Sequence, residues 1–172
     1  RKRWEKQGYT NEDISLQYEI MIQCLANITF LALPAMLQAY NPNELISPLE
    51  IIGYVLWFVF LALEHIADLQ KQKFLKQCYL EGKKRQVCNV GLCKYTRHPN
   101  YFGDSAVWWS YALFCIASGH YWQIIGSIIM TLLIIRVSGV SLLEKTLKDS
   151  KPMYNDYIKK TSSFLPWFSK NK

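Results

Sequence analysis

Residues 91–104 read Gly-Leu-Cys-Lys-Tyr-Thr-Arg-His-Pro-Asn-Tyr-Phe-Gly-Asp, which gathers two cations, a histidine and an acid around one proline. Proline is favoured at the first position of a helix, so Pro99 is expected to start one, with Arg97 and His98 just ahead of it and Asp104 in its first turns. A helix start offers free N–H groups and a positive dipole end. A phosphate or carboxylate could be held there beside Arg97 and His98. The competing reading is an interfacial helix start whose arginine and histidine touch lipid headgroups.

A second cluster is Glu64, His65 and Asp68. Glu64 and Asp68 are four apart and share a helix face. Ionisable groups at membrane depth are costly and usually line a cavity; the alternative is a helix end already among the headgroups. Arg136, inside the apolar stretch 124–143 and followed by Glu144, invites the same argument, with a snorkelling arginine as its alternative. Together these groups place acids and bases from three helices at similar depth. They suit a pocket that holds an anionic cofactor against a lipid-soluble substrate, with Glu64, His65 and Trp108 on the substrate side. Cys78, Cys88, Cys93 and His98 match no standard zinc spacing, so no metal is expected. Phosphate-loop and nucleophile-elbow motifs are absent from the sequence.

The elements that position these residues follow from where charge is missing. Residues 20–43 carry no charge, nor do 105–135 with His120 neutral, and both runs exceed the roughly 20 apolar residues that cross a hydrocarbon core. The run 51–63 continues apolar around Glu64 and His65 and reads as a third span with polar cargo. Ser118-Gly119 divides the long uncharged stretch into two helices. The expectation is an all-α bundle of about four transmembrane helices, near 18–40, 48–70, 99–118 and 121–143. Pro34 should kink the first, Asn41-Pro42-Asn43 should end it, and Ser47-Pro48 should open the second, which continues to about Lys76 before a basic loop.

The net charge of +7 could signal nucleic acid, but its placement argues for a membrane. Of the 20 Lys and Arg, four precede the first span, eight fall between Lys71 and Arg97, and eight lie from Arg136 onward. The other two connections hold none. Such asymmetry puts both termini and the central loop on the cytoplasmic-type side. The five cysteines, an odd number, are expected as free thiols. The start at Arg1, with neither Met nor a signal pattern, leads us to expect one membrane domain, 1–172, from the C-terminal part of a longer protein.

The stretch 95–104 resembles the C-terminal membrane domain of the steroid 5-alpha-reductase-like family (3-oxo-5-alpha-steroid 4-dehydrogenase). Residues 64–71, 136–145, 154–157 and 164–167 look like the same family, in order and with sensible spacing, so that the likeness covers roughly residues 50–169. The resemblance implies an endoplasmic reticulum membrane oxidoreductase of lipid metabolism. Such an enzyme uses NADPH to reduce a carbon–carbon double bond conjugated to a ketone in a steroid or other lipid. It also implies that Asp68, Tyr95, Arg97, His98, Asn100, Tyr101, Arg136, Glu144 and Tyr157 line the cofactor site, with Arg97 and Arg136 as anion clamps. Asp104, where the family usually has Glu, would be the catalytic acid near the nicotinamide. Cys93 and Ser141 stand where Trp and Pro are common. The related isoprenylcysteine carboxyl methyltransferases share Arg-His-Pro-x-Tyr and use S-adenosylmethionine; they are one alternative. The other is a non-catalytic subunit of a larger membrane assembly that keeps the fold. Mitochondrial and bacterial inner membranes are the other possible locations.

Overall fold

The computed structural model describes residues 21, 24–25, 28–32, 35–36, 39–40, 45–83, 86–138 and 140–169. The chain divides into two units, Arg1–Glu44 and Leu45–Lys172. In the first, Ile28–Ala32 forms a π-helical turn. Eleven of the 23 residues of the expected first span, Pro34 among them, and the Asn41-Pro42-Asn43 turn lie outside the described residues.

The second unit is built of helices, and no strand occurs among the described residues. Helix α1 is Pro48–Leu80. Pro48 occupies its first turn, and Ser47 and Glu50 form a reciprocal capping box: the Glu50 N–H donates to Ser47 Oγ (3.2 Å) and the Ser47 N–H to Glu50 Oε2 (2.6 Å). The helix passes the expected end near Lys76 because nothing breaks it before Gly82, whose φ of 67° is the left-handed conformation that glycine tolerates. At 33 residues α1 is about 50 Å long. It is the one helix among the described residues long and apolar enough to cross a membrane. Much of its apolar surface is unpacked: Ile51, Ile52, Val55, Phe58 and Val59 are all more than half or about half exposed.

Helix α2 is Pro99–Ala117, started by Pro99 and ended at Ser118-Gly119 as expected, with Gly119 at φ 81°. It is of spanning length, but Asn100, Asp104, two serines, two tyrosines and Trp108-Trp109 leave it short of the apolarity of a membrane-crossing helix. The two helices run antiparallel in a definite register. A Cβ added at Gly53 would lie 3.0 Å from the Phe114 ring, and one at Gly103 would lie 2.9–3.0 Å from the Glu64 Cβ, Cα and N. Eleven residues along α1 correspond to eleven back along α2. At Gly103 the α1 backbone fills the space a side chain would need, so only glycine permits the approach. Ala67, Ala106 and Ser110, all buried, continue this thin seam, and Tyr54–Phe114 and Phe60–Phe102 ring contacts flank it.

After a 3-10 turn at Tyr121–Gln123, helix α3 is Ile124–Leu132; with that turn and the residues up to Arg136 it makes a shorter apolar helix. Hydroxyls join it to α2. Ser127 Oγ donates to the Trp108 carbonyl (2.7 Å), Thr131 shares a hydrogen bond with Ser105 (2.8 Å), and the Trp109 indole donates to Thr131 (3.1 Å). The expected fourth span, 121–143, is not one regular helix. Leu133–Ser138 is π-helical, and helix α4, Val140–Ser150, follows. Ser141 Oγ donates to the Arg136 carbonyl (2.7 Å), satisfying an acceptor at the irregular turn. Helix α5, Tyr154–Lys160, and an extended tail complete the unit.

Candidate functional site

The segment before α2 is fastened from three directions. Gly91, at φ 55°, lets the chain turn against α1; the Gln70 side chain occupies the space a Cβ would need and accepts from the Leu92 N–H at 2.9 Å. A 3-10 turn, Gly91–Lys94, then leads to Tyr95. From the other side the tail lies alongside residues 95–97. The Arg97 N–H donates to the Ser162 carbonyl (2.9 Å), Thr96 Oγ1 to the Phe164 carbonyl (2.9 Å), and the Trp167 N–H to the Tyr95 carbonyl (2.9 Å). Thr96 is fully buried by this closure.

The third fastening is ionic. Arg97 directs Nε and Nη2 at Glu144 Oε1, both at 2.7 Å, while Nη1 donates to the carbonyls of Ile158 (3.1 Å) and Thr161. Its side chain is 7% exposed. His98 Nε2 is 3.2 Å from the same Glu144 oxygen, and Tyr101 stacks on its ring at 5.6 Å. Burial lowers the His98 pKa below the ordinary imidazole value, Glu144 opposes this, and the Arg97 and Lys71 charges add to it. A neutral ring facing an ionised carboxylate must carry its proton on Nε2. Tyr157 closes the knot by donating to the Cys93 carbonyl, and burial raises its pKa. Burial likewise pushes Tyr154 up to about 12, with the Glu144 charge adding to the rise and Arg97 opposing it.

Arg97, His98, Tyr101, Glu144 and Tyr157, five residues expected at one site, are therefore drawn to one end of the unit. Tyr95 is instead exposed, its ring edge-on to Phe168 at 6.2 Å. Asn100 and Asp68 are partly exposed, and His65 and Arg136 are exposed. One turn into α2, Asp104 accepts from the Trp108 side chain and lies within electrostatic range of Glu64, which also senses Asp68.

Beside the knot lies an open groove of about 920 Å³, between the last turns of α1, residues 86–94 and α5. Tyr157 belongs to both. Lys73, Lys83, Lys94 and Lys160 line it; Lys83 is paired with Glu81 at 2.8 Å, and the other three have no ion-pair partner among the described residues. Sequence reasoning read these lysines as separate helix-end, loop and tail charge and missed the groove, although residues 70, 73, 74, 77, 78 and 81 repeat at helical spacing along one face. Near its edge, the Cys88 thiol is lowered to about 6 by a hydrogen bond from Cys93, against the effect of burial, with the Val90 backbone, Lys151 and Lys71 adding to the fall. Cys93 is correspondingly raised by that hydrogen bond and by burial. All five cysteines are free thiols.

No curated protein and no solved structure matches the chain. Residues 1–161 match the family described as "Protein of unknown function (DUF1295)", and with most of its length so matched the chain belongs to that family.

Proposed function

We propose that the chain is the membrane domain of a reductase that uses NADPH to saturate a carbon–carbon double bond conjugated to a ketone in a steroid or other lipid. In this reading four helices span the bilayer, the basic loop and both termini face the cytoplasmic-type side, and the endoplasmic reticulum is the membrane. The long α1, its unpacked apolar surface and the one-sided charge support the membrane part.

One observation carries the catalytic part. The stretches that resemble the steroid 5-alpha-reductase-like family meet in space: Arg97 and His98 on Glu144, Tyr157 on the residue 93 carbonyl, and Gly103 against Glu64. A dinucleotide needs cations that are not already satisfied. Arg97 does not meet that requirement, because its donors hold Glu144 and two carbonyls. The lysines of the adjoining groove do meet it, and Asp68, Asn100 and Tyr101 remain available to line the other end. NADPH, when bound, supplies the hydride. Saturating the enone adds that hydride at the β-carbon and a proton at the α-carbon. In this reading Asp104, which accepts from the Trp108 side chain and lies within electrostatic range of Glu64, is the acid that holds that proton.

The deciding experiment identifies the small molecule that co-purifies with the full chain and measures NADPH and labelled S-adenosylmethionine binding. NADPH binding, together with an Asp104→Asn variant that binds normally but turns over an enone roughly 10²–10⁴-fold more slowly, is the expected result. Binding of S-adenosylmethionine alone would make the chain a methyltransferase. Binding of neither by a well-folded chain would favour a structural subunit of a membrane assembly, a reading to which the fully engaged Arg97 lends weight.

A further inference from the structure

We propose that the groove between the end of α1, residues 86–94 and α5 is a binding site for a phosphate-bearing ligand with a planar or apolar body. Its volume of about 920 Å³ is of the order of a small-molecule or cofactor pocket. Lys73 comes from α1, Lys94 from the turn before Tyr95, and Lys160 from the end of α5. Three ammonium groups from three elements around one concavity repel one another, and neither acid of the same wall pairs with them: Asp156 pairs with Lys159 at 3.8 Å and Glu81 with Lys83 at 2.8 Å. An anion entering the groove relieves that repulsion. Glu81, on the same wall, is occupied by Lys83 and Gln77 (both 2.8 Å).

The rest of the wall suits the remainder of such a ligand. Phe74, Val87, Val90 and Met153 offer apolar surface, and Tyr157 a ring whose hydroxyl is already engaged. The groove reaches the motif residues through Tyr157 and Lys94, the latter one residue from Tyr95. A ligand lying across this wall has its phosphates over the lysines and its body directed toward the knot. Naming the ligand as the nucleotide end of NADPH rests on the reductase reading; the phosphate site itself does not. The same chemistry fits an anionic phospholipid headgroup, since the groove lies on the basic side.

The test uses the full chain in nanodiscs of neutral phosphatidylcholine, with ADP and NADPH as probes in calorimetric titrations. The expected result is ADP binding that weakens with salt, and that falls at least about tenfold in the combined Lys73→Gln, Lys94→Gln, Lys160→Gln variant. Glu81→Gln, which removes an acid and frees Lys83, should strengthen it. These surface positions leave the unfolding temperature unchanged. ADP affinity that is unaffected by both variants overturns the proposal. NADPH binding with no dependence on the lysines also overturns it, while leaving the reductase reading in place. Lysine-dependent ADP binding without enone reduction supports the groove and removes the reductase. Replacing part of the phosphatidylcholine with phosphatidylglycerol distinguishes the sources: lysine-dependent displacement of ADP by the anionic lipid assigns the site to headgroups, and its failure assigns it to a soluble nucleotide.

Discussion

The α1–α2 crossing and the Arg97 knot sit at neighbouring stretches of the chain, yet they are held by opposite means. At the crossing, side chains are missing: Gly103 lets the Glu64 backbone approach, and alanines and serines keep the seam thin. At the knot, side chains are concentrated: Arg97, His98 and Glu144 fill one another's hydrogen-bonding capacity. The first is sensitive to added volume and tolerant of solvent conditions, whereas the second is sensitive to the loss of any partner and to pH.

The contrast can be broken at several points. Arg97→Ala leaves Glu144 and two carbonyls without their partner in a buried setting. It should cost about 3–5 kcal/mol, measured by chemical or thermal unfolding in detergent, and a loss under 1 kcal/mol would mean that the knot contributes little. Gly103→Ala places a Cβ 3.0 Å from backbone atoms of Glu64 and should cost roughly 1–3 kcal/mol by overpacking. The same change at Gly82, with open space around it, should act through its positive φ alone and cost about 1 kcal/mol.

The knot's pH response sharpens the comparison. Burial holds His98 below its unfolded value of 6.5, so the neutral ring stabilises the fold above that pH, and the stabilisation is lost as pH falls through the lower folded value. Melting temperatures between pH 7.5 and 5 should therefore drop more steeply for the native chain than for His98→Asn. Parallel slopes would show that this histidine is not responsible. The smallest effect concerns reactivity. Cys88, lowered to about 6, should alkylate with iodoacetamide well before the buried Cys93 and Cys115, and Cys93→Ala should slow it by removing the hydrogen bond.

The boundaries of the helices were legible because single residues dictate them: Ser47-Pro48 and Pro99 begin helices, and Gly119 ends one through local backbone geometry. The long apolar α1 was legible from its lack of charge. Arg97 was singled out from the sequence, but its partners were not, because Glu144 lies 47 residues away and carbonyls have no sequence signature. Pattern reading could nominate a cation and had no means of telling whether its donors would be free. The irregular Leu133–Ser138 turn was missed for a similar reason: helical periodicity looks the same whether hydrogen bonds skip four residues or five. The groove needed three separate elements to be placed before its lysines could be seen as neighbours.

The backbone bonds between residues 95–97 and the tail also set a timetable. Thr96 waits for Phe164, 68 residues further on, before its hydroxyl has an acceptor. At translation speeds of about 5–20 residues per second, that interval is on the order of 3–14 s during which the start of α2 has already left the ribosome with its buried polar groups unmatched. A stop codon or a fusion joint placed just before Ser162 would make that temporary state permanent, so quality-control machinery should recognise such a truncated product readily.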